Sequence, residues 1–120
     1  LERGDWVLSD RFTGSTMAYQ GYGRGLDREL ITDLERIATR GLSPDMTVWL
    51  DIPLALSVQR RGSREEDRIE AEGFAFLERV SKGFSHLAKA HGWVSVVADR
   101  PLLDVAEEIQ TALITRSAAW

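Results

Sequence analysis

Near the start of the 120-residue chain an acidic and a basic residue, Asp10 and Arg11, follow a short apolar run, Trp6-Val7-Leu8. Carboxylate oxygens suit Mg2+ and a guanidinium fork suits phosphate oxygens, so the pair can serve a metal ion and a phosphate together. A loop salt bridge is the plainer reading of the same two residues. Just downstream, Ser15, Thr16, Tyr19 and Gln20 are spaced to share one side of a short helix. Two hydroxyls, a phenol and an amide on one face can read a flat, hydrogen-bonding ligand such as a base; a solvated polar face is the alternative. The second concentration of chemistry is RRGSREEDRIEAE, where Arg60, Arg61, Arg64 and Arg68 stand among Glu65, Glu66, Asp67, Glu70 and Glu72. Charge runs are usually solvated, salt-bridged turns. Four arginines in one loop are also what phosphoryl transfer needs to neutralise charge on the moving group. The run alone does not decide between the two.

The elements that must position these residues follow from hydrophobic spacing. Trp6-Val7-Leu8 reads as a buried strand, with Asp10 and Arg11 at its carboxyl end, where ligands sit in open α/β sheets. Gly21-Tyr22-Gly23-Arg24-Gly25 reads as a flexible turn, because a phosphate-binding glycine loop would follow a strand directly and carry Lys-Ser/Thr. Asp27 to Arg40 is predicted as a helix from Leu30, Ile31, Leu34, Ile37 and Ala38, with Asp27 as its N-cap and Gly41 and Pro44 ending it. Thr47 to Ile52 is a nearly continuous apolar strand; Asp51 within it is either a metal ligand or, preferably, a hydrogen-bond anchor for the turn. Pro53 opens a helix to about Arg61. A long amphipathic helix is expected from Phe74 to His91, with Gly92 as its stop. His86 and His91 fit no metal spacing and read as surface or half-buried structural residues. Trp93 to Ala98 is a third strand, Asp99-Arg100-Pro101 a turn, and Leu102 to about Arg116 the last helix. Strands alternating with helical crossovers imply a parallel α/β layer fold.

The totals bound the function class. The chain is at most one domain, with 43% hydrophobic and 28% charged residues, ordinary for a soluble globular protein. A net charge of −4 gives no reason to expect nucleic acid or an anionic membrane as partner. No transmembrane-length segment and no signal-peptide pattern occurs. The absence of Cys removes disulfide frameworks and cysteine–zinc sites and fits a reducing cytosol, so a cytoplasmic protein is the default expectation. Leu1-Glu2-Arg3-Gly4-Asp5 lacks an initiator Met and reads like the last turn of a helix.

The order Asp-Arg-aromatic, Ser-Thr, Ala-Tyr-Gln-Gly and Gly-Arg-Gly from Asp10 to Gly25 resembles the central motif of bacterial thymidylate kinases. The strand TVWLDIP, the arginine-rich run with Asp67-Arg68-Ile69-Glu70, and the aromatic-bearing helix after it are similar to the fourth strand, the lid and the following helix of that family. Asp99-Arg100-Pro101 looks like its adenine-side loop. Two ordered motifs with matching strands between them are far more specific than either alone. The resemblance covers essentially all of the chain and implies the C-terminal part of one nucleoside-monophosphate kinase domain over residues 1–120, with a lid at 60–72. The implied fold is a partial, parallel-sheet P-loop nucleotide-kinase fold with three of the expected five strands, the central first strand missing.

The resemblance also implies an activity, transfer of the γ-phosphoryl group of MgATP to dTMP, and a role for each matching residue. Arg11 grips the acceptor phosphate, and Asp10 acts near that phosphate and the Mg2+. Thr16 and Gln20 lie where the family reads the thymine edge, Tyr19 matches the ring that crowds the sugar 2′ position, and Ser15 joins them and Arg11 as a substrate-binding residue. Arg64 and Arg68 match catalytic lid arginines, whereas Arg60, Arg61 and Arg100 fall on the ATP side. Phe12 replaces the Tyr or His more usual after the Asp-Arg pair. A homodimer is typical of the family. No G-x-x-x-x-G-K-[ST] pattern occurs in the sequence, so nothing here cradles an ATP triphosphate and the chain alone is expected to be inactive. Another P-loop nucleoside or nucleotide kinase, or a non-catalytic nucleotide- or partner-binding protein, are the competing readings.

Overall fold

The computed structural model describes residues 1–61 and 73–120. In chain order come α1 (Thr13–Thr16), which continues into a π-helical segment (Met17–Gly23), then α2 (Arg28–Thr39), β1 (Val48–Asp51), α3 (Leu54–Arg61), α4 (Phe74–His91), β2 (Val94–Val97) and α5 (Leu102–Ser117). β1 and β2 pair in parallel, from Val48 opposite Val94 to Asp51 opposite Val97. Parallel neighbours need a long crossover, and α3 and α4 lie within it. The ladder extends by one bond at each end: Val94 N–H donates to Thr47 O and Ala98 N–H to Asp51 O, both at 2.9 Å. The expected parallel α/β architecture is therefore present.

Local chemistry explains the helix limits. The Asp27 carboxylate accepts the Glu29 N–H at 3.0 Å, occupying one of the donors that a helix start leaves free. α2 ends where Arg40 turns left-handed at φ 56°, and Gly41 follows at φ 79°. α4 ends at Gly92, left-handed at φ 65°, a conformation glycine adopts without a Cβ clash.

Two sequence expectations need correction. Trp6-Val7-Leu8 forms no strand: it is extended and exposed, with Leu8 fully so, and the Trp6 ring lies 5.7 Å from that of Trp120. A strand exists only through a hydrogen-bonded neighbour, and none lies beside it, so two strands rather than three form among the described residues. The glycine run is likewise not a free turn. Gly21 and Gly23 are buried inside the π-helical segment, where the missing side chains bring it close to α2 at Gly21 and to α4 at Gly23. A Cβ on Gly23 would lie 2.7 Å from Phe76 Cε2, and one on Gly83 of α4 would lie 2.6 Å from Tyr22 Cβ.

That contact is the core of the molecule. Ala18, Phe76, Leu77, Val80 and Leu87 are buried together, with Tyr19, Tyr22, Phe84 and Trp93 packed against them. By contrast α5 buries only Val105 and leaves Leu102 and Leu103 exposed. Its C-terminal end is held by Arg116, whose Nη2 donates to Gly92 O at 2.9 Å. Among the described residues no helix is long and apolar enough to cross a membrane.

Candidate functional site

The candidate site begins in the loop before α1. Ser9 Oγ donates to Arg11 O at 2.7 Å, and Arg11 itself is left-handed at φ 73°. A non-glycine residue there carries strain of about 1–3 kcal/mol, a feature that concentrates at functional positions. The Arg11 guanidinium lies over the Tyr19 ring, 5.7 Å from its centroid, and no ion pair joins it to Asp10 among the described residues. The loop salt bridge is therefore not what holds this pair. Asp10, next to Arg11 in the chain, is exposed.

α1 has no side-chain cap at Phe12 and is set by packing instead. A Cβ on Gly14 would come within 2.6 Å of Trp93 Cη2, so only glycine lets the start of the helix rest on the indole that precedes β2. Four residues on, Ala18 is fully buried. Between these anchors Ser15 is half-buried and Thr16 exposed, and beyond Ala18 come half-buried Tyr19 and Gln20. The Tyr19 ring meets Phe84 edge-on at 6.1 Å and Phe76 at 6.3 Å, and Phe84 in turn stacks on Trp49 of β1 at 6.5 Å. A continuous row of rings thus connects the sheet to Arg11. Edge-to-face and offset ring pairs are each worth about 0.5–1.5 kcal/mol beyond burial, enough to fix where Tyr19 points.

The structure brings Arg11 and Tyr19 into contact and puts Ser15, Thr16, Tyr19 and Gln20 on one helical run. Arg100 belongs elsewhere. Its Nε donates to Val97 O at 2.8 Å and its guanidinium pairs with Glu108 of α5, beyond the carboxyl end of β2. Arg60 is exposed near the end of α3, of which Arg61 is the last residue. Arg64, Arg68 and the rest of the expected lid up to residue 72 lie outside the described residues. Asp51 contributes its carbonyl to the ladder, and its carboxylate makes no hydrogen bond among the described residues, so among them it does not anchor the turn through its side chain. His86 and His91 are both exposed, against the rings of Tyr22 and Trp93. No group of three or more His, Cys, Asp or Glu suited to a metal ion occurs among the described residues.

Sequence reasoning missed the supports of the site: the π-helical geometry, Gly14 against Trp93, and the aromatic row behind Tyr19. The signal was available in the small residues. Gly14, Gly21, Gly23 and Gly83 all mark close approaches rather than turns.

The thymidylate kinase family model matches residues 1–109. A thymidylate kinase of Synechococcus sp. (strain CC9311) is 89% identical over 120 residues, all of this chain and 57% of that protein. One from Synechococcus sp. (strain WH7803) is 63% identical over 113 residues, covering 94% of this chain and 53% of the relative. The thymidylate kinase of Parasynechococcus marenigrum (strain WH8102) is 58% identical over 116 residues, 97% of this chain and 56% of that protein. The chain thus spans about half the length of the curated relatives it matches. Its small parallel sheet with helical crossovers is part of the P-loop kinase fold. With the family pattern running through both the Arg11–Tyr19 site and the β1–β2 sheet, the chain belongs to the thymidylate kinase family.

Proposed function

We propose that this chain supplies the acceptor site and lid of a thymidylate kinase, which transfers the γ-phosphoryl group of MgATP to dTMP to give dTDP. The observation that carries the reading is the contact of Arg11 with Tyr19, at the head of a helix that also presents Ser15, Thr16 and Gln20. In this reading Arg11 holds the acceptor phosphate, the hydroxyls and amide address the thymine edge, and the Tyr19 ring crowds the sugar 2′ position. Arg60, Arg61 and Arg100 serve the ATP side, and Arg64 and Arg68 neutralise charge on the moving phosphoryl group. A guanidinium over a tyrosine ring is held in direction without losing its donors, which suits a group that must meet a phosphate squarely.

Mg2+ is usually held through one or two carboxylates together with substrate phosphates. A lone exposed carboxylate at Asp10, next to a phosphate-binding arginine, fits an ion that arrives with the nucleotide. When bound, the ion neutralises phosphate charge; Asp10 and Arg11 orient the acceptor beside it. The 120 residues contain no phosphate-loop pattern, and the relatives are nearly twice as long, so the ATP cradle belongs to the rest of the enzyme. We place that complete enzyme in the cytoplasm as a homodimer.

Kinetics of the complete enzyme test the reading. Arg11→Ala should lower kcat/KM for dTMP by about ten- to a hundredfold, as expected for loss of a charged hydrogen-bond donor. Thr16→Val and Gln20→Leu should instead narrow the preference for thymidine over cytidine monophosphate. Arg64→Lys or Arg68→Lys should lower kcat while the dTMP dissociation constant holds, because lysine keeps the charge and loses the fork. An Arg11→Ala enzyme with wild-type kcat and KM contradicts the assignment.

A further inference from the structure

We propose that Arg79 of α4 is a positioning residue that locks the π-helical register of the acceptor helix and so aims Tyr19 and Gln20; the inference rests on the function proposed above. A π turn adds one residue to the hydrogen-bonded loop of an α turn, and such turns are uncommon, short and often found at functional sites. Here the Arg24 N–H reaches back five residues to Tyr19 O at 3.0 Å, and the Leu26 N–H reaches Gln20 O at 3.0 Å. The Tyr19 carbonyl thus closes a π turn and the Gln20 carbonyl accepts the wider, six-residue bond after it, and both belong to residues of the acceptor face. In an α register the same side chains would be rotated relative to Ser15 and Thr16.

The holding force comes from α4. A helix end leaves carbonyls without intrahelical donors. Gly23, the last residue of the π-helical segment, offers its carbonyl to Arg79 Nε at 3.0 Å, across 56 positions of sequence. A side chain on Gly23 would strike Phe76 and Val80, one turn of α4 on which Arg79 also stands. The Arg79 and Arg24 guanidiniums lie 5.9 Å and 5.2 Å from the Phe76 ring, and that same ring packs on Tyr19. One turn of α4 thus pins the carbonyl end of the π-helical segment and backs the ring at its start. Among the described residues Arg79 bonds to Gly23 O and lies over the Phe76 ring, so its effect passes through the backbone of Gly23 and through Phe76.

The test uses the complete enzyme and two readouts. In Arg79→Met the amides of Arg24 and Leu26 should exchange hydrogen about tenfold faster, the lower range for losing a hydrogen bond from a charged donor, with amides of α5 unchanged. The ratio of kcat/KM for dTMP over its ribonucleotide counterpart should fall by a similar factor, mainly through KM. Arg79→Lys, which keeps a cationic donor, should return both values to within about threefold of wild type. Val105→Ala, in the core patch of α5, should lower thermal stability with neither effect. Unchanged exchange and discrimination in Arg79→Met would overturn the proposal, as would equal changes in Val105→Ala. If the wild-type enzyme does not phosphorylate dTMP, yet the exchange change in Arg79→Met stands, the register lock holds and the function proposed for the face fails.

Discussion

The contact between the π-helical segment and α4 differs sharply from the sheet side of the same chain. At the first, small residues fit against aromatic rings, Ala18 is fully buried, and Val80 is 4% exposed. At the second, Leu50 of β1 and Val97 of β2 are about half exposed, and in the extended segment at the start of the chain Leu8 is 100% exposed and Trp6 and Val7 about two-thirds, although all five are apolar. Large exposed apolar patches mark interaction surfaces. The acceptor-side residues thus find their supports within this chain. On the function proposed above, further chain covers the sheet side; the relatives are nearly twice as long as this chain.

Substitutions on the two sides should break this comparison in different ways. Phe76→Ala removes the ring that touches Tyr19, Arg24 and Arg79, and should cost about 3–5 kcal/mol in chemical denaturation of the complete enzyme. Leu8→Ala should be smaller and context-dependent. In the complete enzyme, where further strands cover it, the cost should be about 2–3 kcal/mol. In the 120-residue chain, where Leu8 touches only solvent, it should stay within about 0.5 kcal/mol. Equal effects of Leu8→Ala in both settings would mean that the sheet side is not completed by additional chain.

How far the fold could be read in advance follows the same division. α4 was legible to the residue, Phe74 to His91, because its apolar stripe and its glycine stop are both local features. Asp27 declared the start of α2 through a capping bond two residues long. The first strand was misjudged because strand identity depends on a neighbour, and a run of apolar residues carries no information about whether that neighbour is present. Gly21 and Gly23 were misread for a related reason. Glycine marks conformational freedom and close packing alike, and for Gly23 only Phe76 and Val80, more than fifty residues away, decide which applies. At the site, the residue types at Asp10, Arg11, Thr16, Tyr19 and Gln20 were visible as chemistry. The π turn that orients them was not, since one extra residue per turn leaves no mark on hydrophobic spacing over so short a helix.

The central claim is a division of labour, with acceptor site and lid in this chain and the ATP cradle in the rest of the enzyme. Phosphoryl transfer from MgATP to dTMP, measured side by side for the 120-residue chain and for the complete enzyme, tests it most directly. The account predicts rapid formation of dTDP by the complete enzyme and none above background by the chain alone; turnover by the 120-residue chain would contradict it.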